Sequence, residues 1–216
     1  MICRDRKLIF IHIPKTGGTS IEDLLWPQPR RVEDLWGGQV APGRNKYQTG
    51  GLQHLTARQI RLEVGDDLFN RCWRFALVRD PVDRLISQYN YLNRRGDLRR
   101  LLGLGPDRTF SQYLQRIQAA EHVQWKPQVA FLFDDDGAPL AEWFALERIG
   151  DDFPEIARRT GSGATRLTHS NKSTQRKGPR ARPLLRREDL SNAELRMIDE
   201  LFRDDFERLN YPRPGA

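Results

Sequence analysis

A turn near the start of the chain carries residues that can bind an anion. Residues 15–20, KTGGTS, combine one ammonium group, three hydroxyl groups and two glycines that let a ligand approach the backbone. The turn follows an apolar run and precedes an apolar-periodic stretch, so it is predicted to open a helix, whose first N–H groups favour negative charge. We expect a phosphate-type site here; an ordinary strand-to-helix turn is the alternative. The candidate binding residues are Lys15, Thr16, Gly17, Gly18, Thr19 and Ser20.

The order of lysine and glycine in this turn excludes a Walker A loop. That loop places its lysine after the second glycine, whereas Lys15 precedes both Gly17 and Gly18. The chain contains 36 lysine and arginine residues, of which six are lysine. Lys15 stands in a chain that mostly uses arginine, which indicates that this position needs the compact charge of an ammonium rather than the planar guanidinium of arginine.

A second segment with anion-binding chemistry is residues 79–89, RDPVDRLISQY. Arg79 follows an apolar run, and Ser87 lies in the helix that the proline is predicted to begin. A guanidinium and a hydroxyl can bind one phosphate together. Arg84 is three residues before Ser87, so we expect it on the same helix face. The alternative is that Arg79 pairs with Asp83 and that Ser87 has no role.

Composition limits the class of protein. At 216 residues the chain is predicted to form one domain over residues 1–216. The formal net charge of +7 suits an anionic ligand such as a nucleotide, a nucleic acid, an acidic glycan or a membrane surface. No apolar run approaches the roughly 20 residues that span a bilayer. Cys3 and Cys72 form neither a disulfide framework nor a metal pattern, so we expect a cytoplasmic protein without a metal.

The predicted elements alternate between strands and helices. Apolar runs predict strands at residues 8–13, 72–78 and 141–147. Capping boxes predict helices that begin at Thr56 and Ser191, and Thr109 is a candidate cap for a helix that runs to Ala120. We interpret residues 129–133 as a further short strand and residues 96–107 as a basic loop. The alternation predicts an α/β protein, a three-layer fold with a mainly parallel central sheet, whose ligands bind at the carboxyl ends of the strands.

The two motifs together resemble those of sulfotransferases that use 3′-phosphoadenosine 5′-phosphosulfate (PAPS). The likeness is closer to the carbohydrate branch, which includes heparan 2-O- and chondroitin-type enzymes. In that family P-K-T/S-x-x-[ST]-[ST] holds the 5′-phosphosulfate and R-x-P-x-x-R-x-x-S-x-Y holds the 3′-phosphate. The matching segments here are residues 14–20 and 79–89. Shorter likenesses occur at residues 54–57, 125–128, 146–147 and 171–173.

The resemblance implies sulfuryl transfer from PAPS to a hydroxyl of a glycan or a small metabolite. Arg79 and Ser87 would bind the 3′-phosphate, and Lys15 would bind the phosphosulfate and stabilise the leaving group. His54 is the implied general base, since imidazole titrates near neutral pH. His12 is interpreted as a core or near-site residue. Eukaryotic members carry a membrane anchor that this chain lacks, so a bacterial soluble form is expected.

Two other functions remain open from the sequence. One is a nucleotide-dependent phosphoryl-transfer enzyme, which the missing Walker order disfavours. The other is a non-catalytic basic module that binds nucleic acid or an acidic glycan. The position of basic residues at two specific turns disfavours this module, so nucleic acid is not an expected partner. The basic residues 158–187 are interpreted by default as a solvated loop. The alternative, implied by the resemblance, is that residues 171–177 fold over the nucleotide.

Overall fold

A computed structural model of the protein describes residues 1–26, 54–167 and 183–215. The chain divides into two compact units, each built from two segments of the sequence. The first unit consists of Met1–Arg79 and Gln128–Asn171, and the second of Asp80–Pro127 and Lys172–Ala216. A single domain over the whole chain therefore stays a prediction.

The first unit contains a sheet of four strands. They are β1 (Ile2–Cys3), β2 (Leu8–Ile11), β3 (Trp73–Val78) and β4 (Glu142–Ala145), and they lie in that order across the sheet. β1 pairs with β2 antiparallel, whereas the β2–β3 and β3–β4 pairings are parallel. All four residues of β2 are buried, so both faces of this strand are covered. The prediction of an α/β fold with a mainly parallel sheet is confirmed.

Helices make up most of the remaining regular structure of the described residues. In chain order they are α1 (Gly18–Leu25), α2 (Ala57–Val64), α3 (Asp66–Arg71), α4 (Pro81–Tyr91), α5 (Gly96–Leu101), α6 (Phe110–Ala119), α7 (Val129–Leu132), α8 (Ile149–Thr160), α9 (Asn192–Leu201) and α10 (Arg203–Arg208). Short 3₁₀ turns occupy Leu146–Arg148 and Arg187–Asp189. Within the same described residues, no helix has the length and the apolar character that crossing a bilayer requires.

The predicted capping boxes form as expected. At the start of α2, the Thr56 hydroxyl accepts from the Gln59 N–H at 3.1 Å, and the Gln59 side chain accepts from the Thr56 N–H at 2.9 Å. The same reciprocal pair opens α6 at Thr109 and α9 at Ser191. Each box satisfies two backbone donors that the helix leaves without an internal partner.

Two predicted elements differ from the structure. Residues 96–107 begin with helix α5 rather than a loop throughout, because Leu98 has an apolar core of the second unit to pack into. The apolar run at residues 129–133 forms the single-turn helix α7 instead of a strand. A run this short has no resolvable period, so its type depends on tertiary packing.

Two helix boundaries in the structure also differ from the prediction. The helix predicted to run from residue 82 to residue 95 is α4, which ends at Tyr91. The pattern of residues 152–155, DFPE, is typical of a helix cap, but helix α8 begins earlier, at Ile149, and contains Pro154. Because Pro154 is the sixth residue of α8, the helix lacks the hydrogen bond that an N–H at this position would donate to the carbonyl of residue 150.

Each unit has an apolar core of its own. In the first unit, Phe10 and Phe75 from adjacent strands lie 5.1 Å apart between ring centroids. They pack with Ile21 and Leu25 of α1 and with Ile156 of α8. These contacts hold α1 against the sheet and so determine where the turn before α1 lies.

Candidate active site

The turn between β2 and α1 has an unusual backbone. Lys15 has φ 70° and Gly17 has φ 85°, and both values fall in the left-handed region. A lysine rarely adopts this conformation, and such strain is concentrated at functional sites. Gly17 is the N-cap of α1 and supplies no side-chain hydrogen bond, in contrast to the capping residues of α2, α4, α6 and α9. Within the described residues, no side chain caps the start of α1, which suits a bound anion.

The hydroxyl groups predicted to donate to an anion differ in position. Thr16 is completely buried, and its Oγ1 donates to the Ile13 carbonyl at 2.9 Å. This bond holds the turn together and uses the hydroxyl hydrogen of Thr16. Ser20 is buried, whereas Thr19 is half-buried and more accessible. A ligand contact by Thr16 would therefore come from its backbone N–H.

The two glycines of the turn have packing reasons as well as conformational ones. A Cβ atom on Gly18 would lie 2.5 Å from Nε2 of His12, inside the space of the imidazole ring. A Cβ atom on Gly17 would lie 2.9 Å from Cδ1 of Leu146. The sequence explains these glycines by the close approach of a ligand to the backbone. The structure adds that Leu146 and His12 occupy the space that a Cβ atom at Gly17 or Gly18 would need.

His54 lies next to His12 in the first unit. Its Nδ1 is 2.8 Å from the His12 carbonyl oxygen, and the two imidazole centroids are 4.6 Å apart. A carbonyl oxygen can only accept, so Nδ1 of His54 carries the proton. In the neutral ring Nε2 then has the lone pair, which is the state that a general base requires. His54 therefore neighbours the residue that lies beneath Gly18.

Arg79 follows the carboxyl end of β3, and Gln128 holds its backbone. The Gln128 side chain accepts from the Arg79 N–H at 2.9 Å and donates to the Arg79 carbonyl at 2.8 Å. Gln128 is completely buried. Sequence reasoning noted residues 125–128 by resemblance but gave Gln128 no role. Within the described parts of the chain, no carboxylate pairs with the Arg79 guanidinium.

The carboxyl ends of the parallel strands meet at one edge of the sheet. Ile11 of β2 pairs with Ala76 of β3, and Val78 pairs with Ala145 of β4. The glycine turn follows β2, Arg79 follows β3, and the residue that packs on Gly17 follows β4. The sheet thus brings the turn and Arg79 to the same edge, as expected for a parallel sheet.

Ser87 lies in the second unit, half-buried on α4. Asn90, on the same face of α4, exchanges two hydrogen bonds of 2.9 Å with the backbone of Leu185. Arg187 lies 3.3 Å from Asp83, one turn before Ser87, and 3.0 Å from Asp80. The segment around residue 186 therefore runs along the face of α4 that presents Ser87.

Arg84, three residues before Ser87 on α4, has partners of its own in the second unit. It is buried, donates to the Lys126 carbonyl at 2.9 Å and lies 4.0 Å from the Asp205 carboxylate. Burial lowers the pKa of the Arg84 guanidinium, and the Asp205 charge opposes this effect. The large side chain packs into the core of the second unit, so Arg84 is a structural residue.

Some predictions concern residues outside the described ranges. Residues 26–51, whose three prolines and five glycines predict a long loop, lie almost wholly in residues 27–53. The basic residues 171–177, for which closure over a nucleotide is the alternative to a solvated loop, lie in residues 168–182. Both segments fall outside the described residues.

The mainly parallel sheet, with a glycine turn at its carboxyl edge that leads into a helix, defines an α/β protein. A family model described as the sulfotransferase family matches residues 1–212. The chain therefore belongs to the sulfotransferase family and is an enzyme of sulfuryl transfer. Comparison of the chain with curated proteins and with solved structures gave no match.

Proposed function

We propose that this sulfotransferase transfers the sulfuryl group of PAPS to a hydroxyl group of a carbohydrate or a small metabolite. The observation that carries the proposal is the state of His54, whose Nδ1–H is bound to the His12 carbonyl. In the neutral ring the lone pair is then on Nε2, and His54 packs against His12, which lies beneath Gly18 of the turn. A base next to an anion site is the pair of groups that transfer to a hydroxyl needs.

The residues of the turn fit a phosphosulfate group. The start of α1 has no side-chain cap within the described residues, and Gly17 and Gly18 present only backbone to a ligand. We assign the 5′-phosphosulfate to Lys15, Thr16, Gly17, Gly18, Thr19 and Ser20. We assign the 3′-phosphate to Arg79 and Ser87. The hydrogen bonds from Gln128 support the assignment of Arg79, because they hold the backbone of Arg79 at the strand end.

Bound PAPS would supply an activated sulfuryl group. His54 takes the proton of the acceptor hydroxyl on Nε2 as the oxygen–sulfur bond forms. The Lys15 ammonium stabilises the negative charge that develops on the phosphate oxygen as its bond to sulfur breaks. Positioning and electrostatic stabilisation carry most of the rate in the related case of phosphoryl transfer, and we assign them the same share here.

The acceptor is proposed to carry a free hydroxyl on a glycan or small molecule. The formal charge of +7 supports an acceptor that is itself acidic, since a basic protein attracts anions. Nucleic acid is not part of this proposal, and the cytoplasm is the proposed compartment.

Thermal unfolding with two nucleotides tests the donor. We expect 3′-phosphoadenosine 5′-phosphate to raise the melting temperature, because a ligand at 100 times its Kd stabilises the folded state by about 2.7 kcal/mol. ATP with Mg²⁺ at equal concentration should raise it much less. The Arg79→Ala variant is the control, with the melting temperature of the free protein retained and the shift by the nucleotide reduced.

Equal shifts by the two nucleotides, or no shift by either, would contradict the choice of PAPS. A screen of hydroxyl compounds with sulfur-labelled PAPS then identifies the acceptor. Transfer of label to no hydroxyl compound, together with phosphorylation from ATP, would favour the phosphoryl-transfer alternative.

A further inference from the structure

The side chain of His12 makes contacts that its place at the end of a core strand does not require. Its Nδ1 lies 2.6 Å from Oε1 of Glu22 on α1. His12 is 4% exposed and Glu22 is 1% exposed, so the pair is withdrawn from water. Burying two polar groups costs free energy that an aromatic–aliphatic pair of similar volume would avoid. The pair therefore calls for an explanation beyond packing.

The His12 ring touches both parts of the candidate active site. One edge of the imidazole lies against Gly18, where a Cβ atom would be 2.5 Å from Nε2. The ring of His54 packs against it nearly edge-on, at 4.6 Å between centroids and 66° between planes. The backbone of the same residue accepts the hydrogen bond from Nδ1 of His54. One residue thus contacts the anion-binding turn and the proposed base.

The hydrogen bond to Glu22 determines the orientation of the His12 ring. A ring held only by packing can rotate about its Cβ–Cγ bond, because that torsion is broad. Donation from Nδ1 to a buried carboxylate selects one orientation and one tautomer. Since Glu22 belongs to α1, the same bond links the end of β2 to the helix that begins at Gly18.

We propose that His12, oriented by Glu22, is a positioning residue that holds His54 and the glycine turn in register with each other. This inference rests on the proposed function where it concerns turnover. Its structural content, the orientation of the His12 ring by Glu22 and the contact of that ring with His54 and Gly18, holds for any reaction in which His54 is the base.

Two variants of Glu22 test the proposal, because they have similar length and differ in the acceptor atom. Glu22→Gln keeps an oxygen that accepts from Nδ1 of His12, whereas Glu22→Met does not. The first readout is nitrogen NMR of His12, which reports whether Nδ1 of its ring carries the proton. We expect the wild-type tautomer in Glu22→Gln and a mixture of tautomers in Glu22→Met.

The second readout is turnover with PAPS. We expect kcat of Glu22→Met to fall about tenfold, the usual lower effect of losing a group that orients a functional side chain. The KM for PAPS and kcat of Glu22→Gln should stay within about twofold of the wild type. If Glu22→Met does not fold, the double variant His12→Phe with Glu22→Met removes both polar partners. Its kcat is then compared with that of the wild type.

A wild-type His12 tautomer in the variant without the acceptor would overturn the proposal, and so would equal impairment of both Glu22 variants. If the wild-type enzyme itself transfers nothing from PAPS, the proposed function fails. The tautomer measurement still decides in that case whether Glu22 orients the His12 ring.

Discussion

The proposed role of His54 as a general base depends on a single backbone oxygen. The carbonyl of His12 accepts from Nδ1, and this choice of tautomer leaves Nε2 to accept a proton. A histidine without this bond would divide its population between two tautomers. The catalytic assignment therefore rests on the neighbour of His54 as much as on the imidazole.

Replacement of His54 separates binding from chemistry. We expect His54→Ala to lower kcat by roughly 10²–10⁴-fold, the usual contribution of a general base. The melting shift by 3′-phosphoadenosine 5′-phosphate should be retained, because the nucleotide is assigned to other residues. Arg58→Ala, on helix α2 just beyond His54 and exposed to solvent, is the control and should keep wild-type turnover. Full activity of His54→Ala on a true acceptor would show that another group is the base.

Sequence reasoning reached the residues with recognisable motifs and missed those that support them. Lys15 and His54 are candidate site residues on the sequence alone. Gln128 was not given a role, although it holds both backbone groups of Arg79. No local sequence pattern marks Glu22, because its hydrogen bond to His12 joins a helix to the end of a strand. Supporting contacts depend on the fold, which a motif does not describe.

At the scale of elements, the start of α1 requires glycine for two reasons. Gly17 adopts a left-handed backbone conformation, and Gly18 packs against the His12 ring. The first turn of this helix must come close to the His12 ring, and only a residue without a Cβ atom allows it. Gly150 in α8 offers a comparison. A Cβ atom there would meet nothing within 4 Å, and its φ is not in the left-handed region.

Matched glycine variants test this view of α1. We expect Gly18→Ala to destabilise the protein by about 1–3 kcal/mol, as overpacking does, and to weaken the shift by 3′-phosphoadenosine 5′-phosphate. Gly150→Ala should stabilise it by about 0.4–1 kcal/mol, because alanine restricts the unfolded chain. Urea unfolding of both variants gives the free energies. A neutral Gly18→Ala would mean that His12 moves aside at no cost.

Elements with a local signal were the ones that the sequence could predict. The reciprocal bonds at Thr56 and Ser191 are encoded within four residues, so the sequence predicts them, and at Thr109 it predicts the cap alone. The short apolar run that became α7 was wrongly interpreted as a strand. Nothing within a run of that length distinguishes the two states, and its neighbours in the fold decide between them.

At the scale of the whole molecule, the second unit is held together by residues from distant parts of the chain. Arg84 of α4 and Asp205 of α10 are both buried, 4.0 Å apart. Ile198, Phe202 and Phe206 pack in the same core as the apolar face of α4. The C-terminal helices are therefore part of the unit that presents Ser87.

Removal of the Asp205 charge should destabilise this unit. We expect Asp205→Asn to cost roughly 3–5 kcal/mol, because a buried arginine loses its counter-charge. Asp199→Asn is the control: Asp199 pairs with the exposed Arg213 and its loss should hardly change the denaturation midpoint. Denaturant unfolding followed by tryptophan fluorescence measures both. Similar midpoints for the two variants would show that the buried pair contributes little.

The parallel pairing of β3 with β4 has a consequence for synthesis of the protein on the ribosome. β4 leaves the ribosome only after α4, α5 and α6, so β3 emerges long before its partner on that side. Until then the apolar residues of β3 present an unpaired strand edge, which is a template for pairing with other chains. A transcript truncated between α6 and β4 would therefore yield an aggregating product, and a chaperone that shields strand edges would raise the yield of the full chain.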